Sequence, residues 1–240
     1  MPGCCSNGRP KWQGRFSPAP EVSRSAKYVV PFGAFLAFLA LDKVVPLGAE
    51  WLYPARIIVV AALLVVLSRD VLDFQVKNAF GSILLGVAVF VIWVAPDILW
   101  PSYRGHWLFT NSMLGEVRSS VPENVRSNMM FLIFRSAGCV FLVPIIEELF
   151  WRGWLARWII DGEDFSRVPL GAYTPLSFWV GSALFASEHG PFWEVGLIAG
   201  IAYNWWMIRT KSLANCILTH AVTNGCLTVY VLAAGQWHYW

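Results

Sequence analysis

The stretch Val143-Pro-Ile-Ile-Glu-Glu-Leu-Phe-Trp-Arg-Gly-Trp-Leu-Ala-Arg-Trp158 sets two adjacent carboxylates inside an otherwise apolar run. Ionised groups in hydrocarbon are costly, so such residues face a bundle interior or a water-filled cavity and are functional by default. At helical spacing Glu148 and Arg152 stand four apart and can pair on one face. Glu147 points roughly a hundred degrees away from Glu148 and is left without a partner in its own helix. A carboxylate pinned by Arg beside a free one is the layout of an orienting group next to a general base. The segment predicts helical structure in a membrane, and chemistry within it.

Composition supports that setting. Hydrophobic residues make up 57% of the chain and charged residues only 14%, a balance shifted well away from soluble domains. Fourteen Trp residues suit lipid–water interfaces, where indoles concentrate. A formal charge of +3, with no basic cluster interleaved with aromatics, argues against nucleic acid as a partner. The five Cys, at 4, 5, 139, 216 and 226, form neither a metal spacing nor a disulfide framework.

Residues 1–26 differ in kind. They are rich in Pro, Gly and Ser, carry Arg9, Lys11, Arg15 and Arg24 against Glu21, and contain no signal-peptide core. They read as a disordered basic tail, whose charge favours the cytoplasmic side.

Apolar segments follow at Tyr28–Leu47, Leu52–Leu67, Asn78–Pro96, Asn128–Ile160, Pro175–Ser187, Val195–Ile208 and Ser212–Trp237. The first spans a bilayer only if Asp42 and Lys43 sit near its end. Residues 97–127, broken by Pro101, Gly105 and Pro122, predict a surface loop with a short interfacial helix. Asn128–Ile160 is long enough for two helices or for one bent at Pro144. The expected architecture is an all-α, polytopic transmembrane bundle of seven or eight helices. Residues 27–127 supply N-terminal helices and an interfacial loop, and 128–240 a catalytic core. With seven crossings and the tail inside, Arg69, Lys77, the polar loop 161–169, Arg209 and Lys211 fall on the cytoplasmic side. Arg104, Arg118 and Arg126 then fall outside, against the charge bias. The expected location is the plasma membrane of a bacterium.

Two more polar constellations lie downstream. Phe185-Ala-Ser-Glu-His189 ends one apolar segment, and His220-Ala-Val-Thr-Asn224 lies within another. At i, i+4 the members of each pair share a helical face. A single intramembrane His is as readily a hydrogen-bonding partner for a neighbouring helix. Three polar sites on three segments are instead the ingredients of a water-activating Glu–His pair with donors for an oxyanion.

The order Glu-Glu-x-x-x-Arg, Phe-x-x-x-His, His-x-x-x-Asn resembles the CAAX prenyl protease and bacteriocin-processing family of intramembrane endopeptidases. The resemblance covers residues 128–235 and extends to Gly196-x-x-x-Gly200 and the turn Thr210-Lys211-Ser212-Leu213. It implies Glu147 as general base, His189 as its partner in activating water, and Glu148 with Arg152 as ordering groups. It further implies His220 and Asn224 as the site that binds the developing oxyanion. The implied substrate is a membrane-associated peptide or protein, with CAAX-type C-terminal processing of a lipidated or sorted protein among the options.

Glu188 departs from the family pattern. It reads as a boundary carboxylate in water, or as a competitor for the role of base. Arg135, mid-segment, reads as neutralising Glu147 or Glu188, or as contacting a substrate terminus. Two His and one Glu can hold catalytic zinc, so Glu147, His189 and His220 form the alternative metal set. The ligands lack the H-E-x-x-H arrangement and Arg152 repels a cation, so no cofactor is the favoured reading. The rival class is a scaffold or transporter using the same polar cavity. No symmetry between halves supports a transporter.

Overall fold

A computed structural model describes residues 23–41, 44–45 and 47–240. Most of the expected basic tail, and the expected placement of Asp42 and Lys43, lie outside these residues. Among them there are seven helices and no strand. The helices are α1 (Ala26–Leu41), α2 (Ala49–Ser68), α3 (Ala79–Leu99), α4 (Met129–Ile160), α5 (Pro175–Ser187), α6 (Trp193–Thr210) and α7 (Leu213–Ala234). Four of them, α2, α3, α4 and α7, are long and apolar enough to cross a membrane. Outward-facing Val66, Phe80 and Val229 are each more than 60% exposed, a surface that suits lipid rather than water. The chain is an integral, multi-pass membrane protein.

Local chemistry sets the boundaries. Asn78, Asn128 and Ser212 cap α3, α4 and α7 with their side chains, meeting otherwise orphaned N–H groups. Thr174 and Ser177 form a reciprocal capping box at α5, with Pro175 in its first turn. The second helix starts at Ala49, earlier than its apolar run suggests, and carries Pro54 inside it, without the N–H that would serve Glu50 O. Between α3 and α4 the expected interfacial helix is replaced by two single turns, Tyr103–Gly105 and Glu123–Val125. The closely spaced Pro and Gly of 97–127 leave no run long enough for a stable α-helix.

The long fourth segment is one continuous helix. It absorbs two π turns, Gly138–Leu142 and Leu149–Leu155, on either side of the Glu147–Glu148 pair. π turns are rare and concentrate at functional sites. Pro144 follows the first of them, where Val143 N–H donates to Gly138 O. In this register the next amide would serve Cys139 O, and proline has no N–H to give.

Helices alternate in direction, so the bundle has two ends. At one end Lys27 meets Asp70, Arg24 donates to Ser166 Oγ (2.9 Å), and Lys77 N–H donates to Asn215 Oδ1 (2.9 Å). The starts of α1, α3, α5 and α7 therefore gather with the 161–174 loop. At the other end Ser120 N–H donates to Trp240 O (2.7 Å) and Tyr239 OH donates to Asp97 Oδ2 (2.7 Å). There the 235–240 segment lies against the 97–127 loop.

Candidate functional site

The core of the site is a buried ion cluster. Glu148 and Arg152 are 0% and 1% exposed, and Arg152 Nη1 lies 3.1 Å from Glu148 Oε1. The remaining Arg152 donors reach Asn204 Oδ1 (2.9 Å) through Nε and Gly200 O (3.2 Å) through Nη2. Asn204 is fixed in turn, donating to Ser182 Oγ (2.9 Å) and Phe178 O (3.2 Å). The guanidinium also sits 4.6 Å over the Phe185 ring. A buried pair is best tolerated when its leftover donors are satisfied; α6 supplies both partners of Arg152, while Glu148 Oε2 is left without a hydrogen bond among the described residues.

His220 joins the same carboxylate. Its Nδ1 lies 2.9 Å from Glu148 Oε1, and its ring stacks on Tyr203 at 5.1 Å between centroids. Tyr203 OH donates to Thr223 Oγ1 (2.8 Å), which donates to Gly86 O (2.9 Å). One turn beyond His220, the Asn224 amide donates to Cys139 O (2.9 Å). That is the carbonyl which the Pro144 register leaves without a helical donor.

His189 is held from below. Its Nδ1 lies 2.8 Å from Phe185 O. A carbonyl only accepts, so Nδ1 carries the hydrogen and Nε2 keeps its lone pair. The ring packs against Phe185 and edge-on to Trp93, at 4.9 and 5.1 Å. Gly196 allows this fit, because a Cβ there would lie 3.1 Å from His189 Nδ1. The turn after His189 is clamped by Arg104, whose Nη1 donates to Pro191 O (2.7 Å) and contacts Glu194 Oε1 (2.5 Å). Nε of Arg104 donates to Asp97 Oδ1 (2.8 Å).

These side chains open on one cavity of about 170 Å³. Its lining includes Glu147, His189, His220 and Asn224, with Phe185, Tyr203 and Trp93 as walls. Tyr239, Trp240 and Arg135 reach it from the end formed by the 97–127 loop and residues 235–240. Glu147 Oε2 is buried and has no protein hydrogen-bond partner among the described residues. All four sequence candidates are thus brought together, with Glu148 and Arg152 directly behind them.

Glu188 is exposed, yet its Oε1 accepts the Trp151 indole N–H at 3.0 Å. Arg135 donates to Ser120 Oγ (3.4 Å) and lies over the Tyr53 and Trp240 rings. Asn204 and Arg104 were not singled out from sequence. Asn204, a polar group within an apolar helix, offered the same signal as His220. Arg104 offered none, since its partners come from α3, the Gly190–Phe192 turn and α6. Among the described residues, no group of three or more His, Cys, Asp or Glu is arranged to hold a metal ion.

Residues 129–226 match the family model described as type II CAAX prenyl endopeptidase Rce1-like, the family group that the three motifs resemble. The matched segment, less than half of the chain, contains Glu147, Glu148, Arg152, His189, His220 and Asn224. No curated protein and no solved structure matches the chain.

Proposed function

We propose that the protein is a metal-independent, glutamate-dependent intramembrane endopeptidase that processes a membrane-associated peptide or protein near its C-terminus. One observation carries the reading: Glu147 from α4, His189 from the turn after α5, and His220 and Asn224 from α7 line a single cavity backed by a buried carboxylate–guanidinium pair.

In this mechanism water sits between Glu147 and His189 Nε2, the two groups with free acceptor capacity toward the cavity. Glu147 takes a proton as the water oxygen adds to the peptide carbonyl carbon. The carbonyl oxygen becomes an oxyanion, bound by His220 and the Asn224 amide. This role requires His220 to donate from both ring nitrogens, Nδ1–H to Glu148 Oε1 and Nε2–H to the oxyanion. Glu147 returns its proton to the amide nitrogen as the C–N bond breaks, giving a carboxylic acid and an amine. Removing one oxyanion donor costs about 10²–10³ in rate.

Metal independence is supported by the donor arrangement, since the carboxylate next to Glu147 is already paired with Arg152. An inside location of the N-terminus is supported by charge. At the end holding the start of α1, Arg69, Lys77, Arg209 and Lys211 make no ion pair among the described residues. At the other end Arg104, Arg118 and Arg126 pair with Glu194, Glu116 and Glu123. The site then opens toward the outer face of a bacterial plasma membrane.

The test is mass spectrometry of membrane proteins from cells with the wild-type chain and with Glu147→Gln. A protein whose new C-terminus appears only with the wild type supports the reading. Identical C-termini in both samples overturn it.

A further inference from the structure

At the basic end of the bundle, far along α4 from the catalytic cavity, lies a second cavity of about 100 Å³. Its lining includes Lys77, Arg157, Lys211, Ser212, Tyr28 and Asp73. The space is large enough to admit a tetrahedral anion.

Arg157 is 8% exposed and its position is fixed. Nε donates to Gly153 O (2.5 Å), Nη1 reaches Val168 O (3.5 Å), and the guanidinium lies 5.3 and 5.0 Å from the centroids of the Tyr28 and Phe165 rings. Its Nη2 is buried and has no hydrogen-bond partner among the described residues. No carboxylate among them forms an ion pair with it. The one acid in the lining, Asp73, already accepts from Gln75 N–H (2.9 Å). A buried guanidinium with an unused donor asks for an anion.

Two further features face the same space. The 22-residue helix α7 begins here, with Ser212 as its cap, and a helix N-terminus favours negative charge. Lys211 holds φ +49°, the left-handed conformation where glycine is the ordinary choice. The chain keeps a lysine there, and its side chain lines the cavity.

We propose that this cavity is a phosphate-binding site, formed by Arg157, Lys211, Lys77 and the start of α7. Its position at the helix ends fits two sources of that group, the phosphodiester of an anionic phospholipid or a free phosphate. The site is separate from the peptidase chemistry and does not depend on it.

The experiment uses full-length protein in detergent, followed by thermal unfolding and by native mass spectrometry. Inorganic phosphate is titrated against chloride at equal ionic strength, and phosphatidylglycerol against phosphatidylcholine. The variants are Lys211→Gly, which removes the charge while easing the backbone, and Lys77→Gln. Arg157→Gln is included, but the conclusion does not rest on it, because its loss can disturb packing. Wild type is expected to be stabilised by phosphate or retain phosphatidylglycerol. Lys211→Gly should bind at least ~10-fold more weakly, the loss of one charge-assisted contact. Response to lipid alone assigns the lipid source, and response to inorganic phosphate assigns the free anion. Equal responses from wild type and Lys211→Gly, or no response to either ligand, overturn the proposal.

Discussion

His220 Nδ1 and Arg152 Nη1 converge on the same oxygen, Glu148 Oε1, at 2.9 and 3.1 Å. The relationship makes Glu148 the hinge between the ion pair and the imidazole, so the pair orients the ring as well as balancing charge. Arg152→Ala leaves a fully buried carboxylate uncompensated and frees Asn204 and Gly200 O. Breaking such a pair costs about 3–5 kcal/mol. A fall in melting temperature together with loss of activity is expected. Wild-type stability of Arg152→Ala in detergent would show that the cluster is hydrated.

Glu147 stands apart from that network: the hydrogen bonds of Arg152 and His220 go to Glu148, and the buried Glu147 Oε2 has no protein partner among the described residues. Glu147→Gln therefore removes the base while keeping volume and leaving the Glu148 cluster intact. Peptide hydrolysis should fall at least ~10²-fold, with an unchanged melting temperature. Glu188→Gln is the control, as Glu188 is exposed and held by Trp151. Hydrolysis that survives Glu147→Gln and disappears in Glu188→Gln moves the base to Glu188.

The polar half of the site was legible in sequence because Glu147, Glu148, Arg152, His189, His220 and Asn224 stand out against apolar surroundings at helical spacing. The helices were legible for the matching reason, since hydrophobic runs bounded by Pro, Asn and Ser mark their own ends. Trp93 and Tyr203 were not legible as cavity walls, because an aromatic facing the cavity and one facing lipid look alike in a string; Phe185 was placed only by its spacing from His189. The Asn224–Cys139 contact was hidden as well. It depends on a π turn, and a change of hydrogen-bond register leaves no mark in hydrophobic periodicity. The expected interfacial helix in 97–127 gave way to single turns because Pro and Gly break the run, and contacts of Arg104 and Trp240 hold the segment in place.

Gly196→Ala tests the fit around His189. A Cβ would stand 3.1 Å from His189 Nδ1 and 3.3 Å from its Cβ, so the ring must give slightly and its contact with Phe185 O is disturbed. Alanine is the better helix former by about 1 kcal/mol, which opposes any loss of stability. The expected result is a catalytic defect in kcat without unfolding. Full activity in Gly196→Ala would mean that the imidazole position is not set by this contact.

The turn after α2 supplies a pH test. The hydrogen bond from Lys27 holds the Asp70 carboxyl below its ordinary value, against a smaller opposing desolvation effect. An acid depressed in the folded state adds stability above its unfolded value, about pH 4, and loses it as pH falls through the folded value. Melting temperatures of wild type and Asp70→Asn should differ at neutral pH and converge in strong acid. Because the aspartate is exposed, the difference should be small and shrink with added salt. A gap that persists at the lowest pH would assign the effect to something other than this carboxylate.

Metal dependence separates two uses of the same residues. In the metal-free reading Glu147 and His189 activate water directly, and Arg152 supplies the positive charge next to the carboxylates. In the zinc reading Glu147, His189 and His220 are ligands, and each must be deprotonated to bind. Structural or catalytic zinc is lost to strong chelators, while a Glu–His pair is indifferent to them. Purified protein is assayed after exhaustive treatment with a membrane-permeant chelator, with elemental analysis of the same sample. Retained hydrolysis in a sample free of stoichiometric metal is expected. His220 offers an internal check, because its Nδ1 is engaged by Glu148 and Nε2 alone remains for a ligand. Activity lost on chelation and restored by one equivalent of zinc would recast the three residues as ligands and Glu148 as the group that orients a metal-bound imidazole.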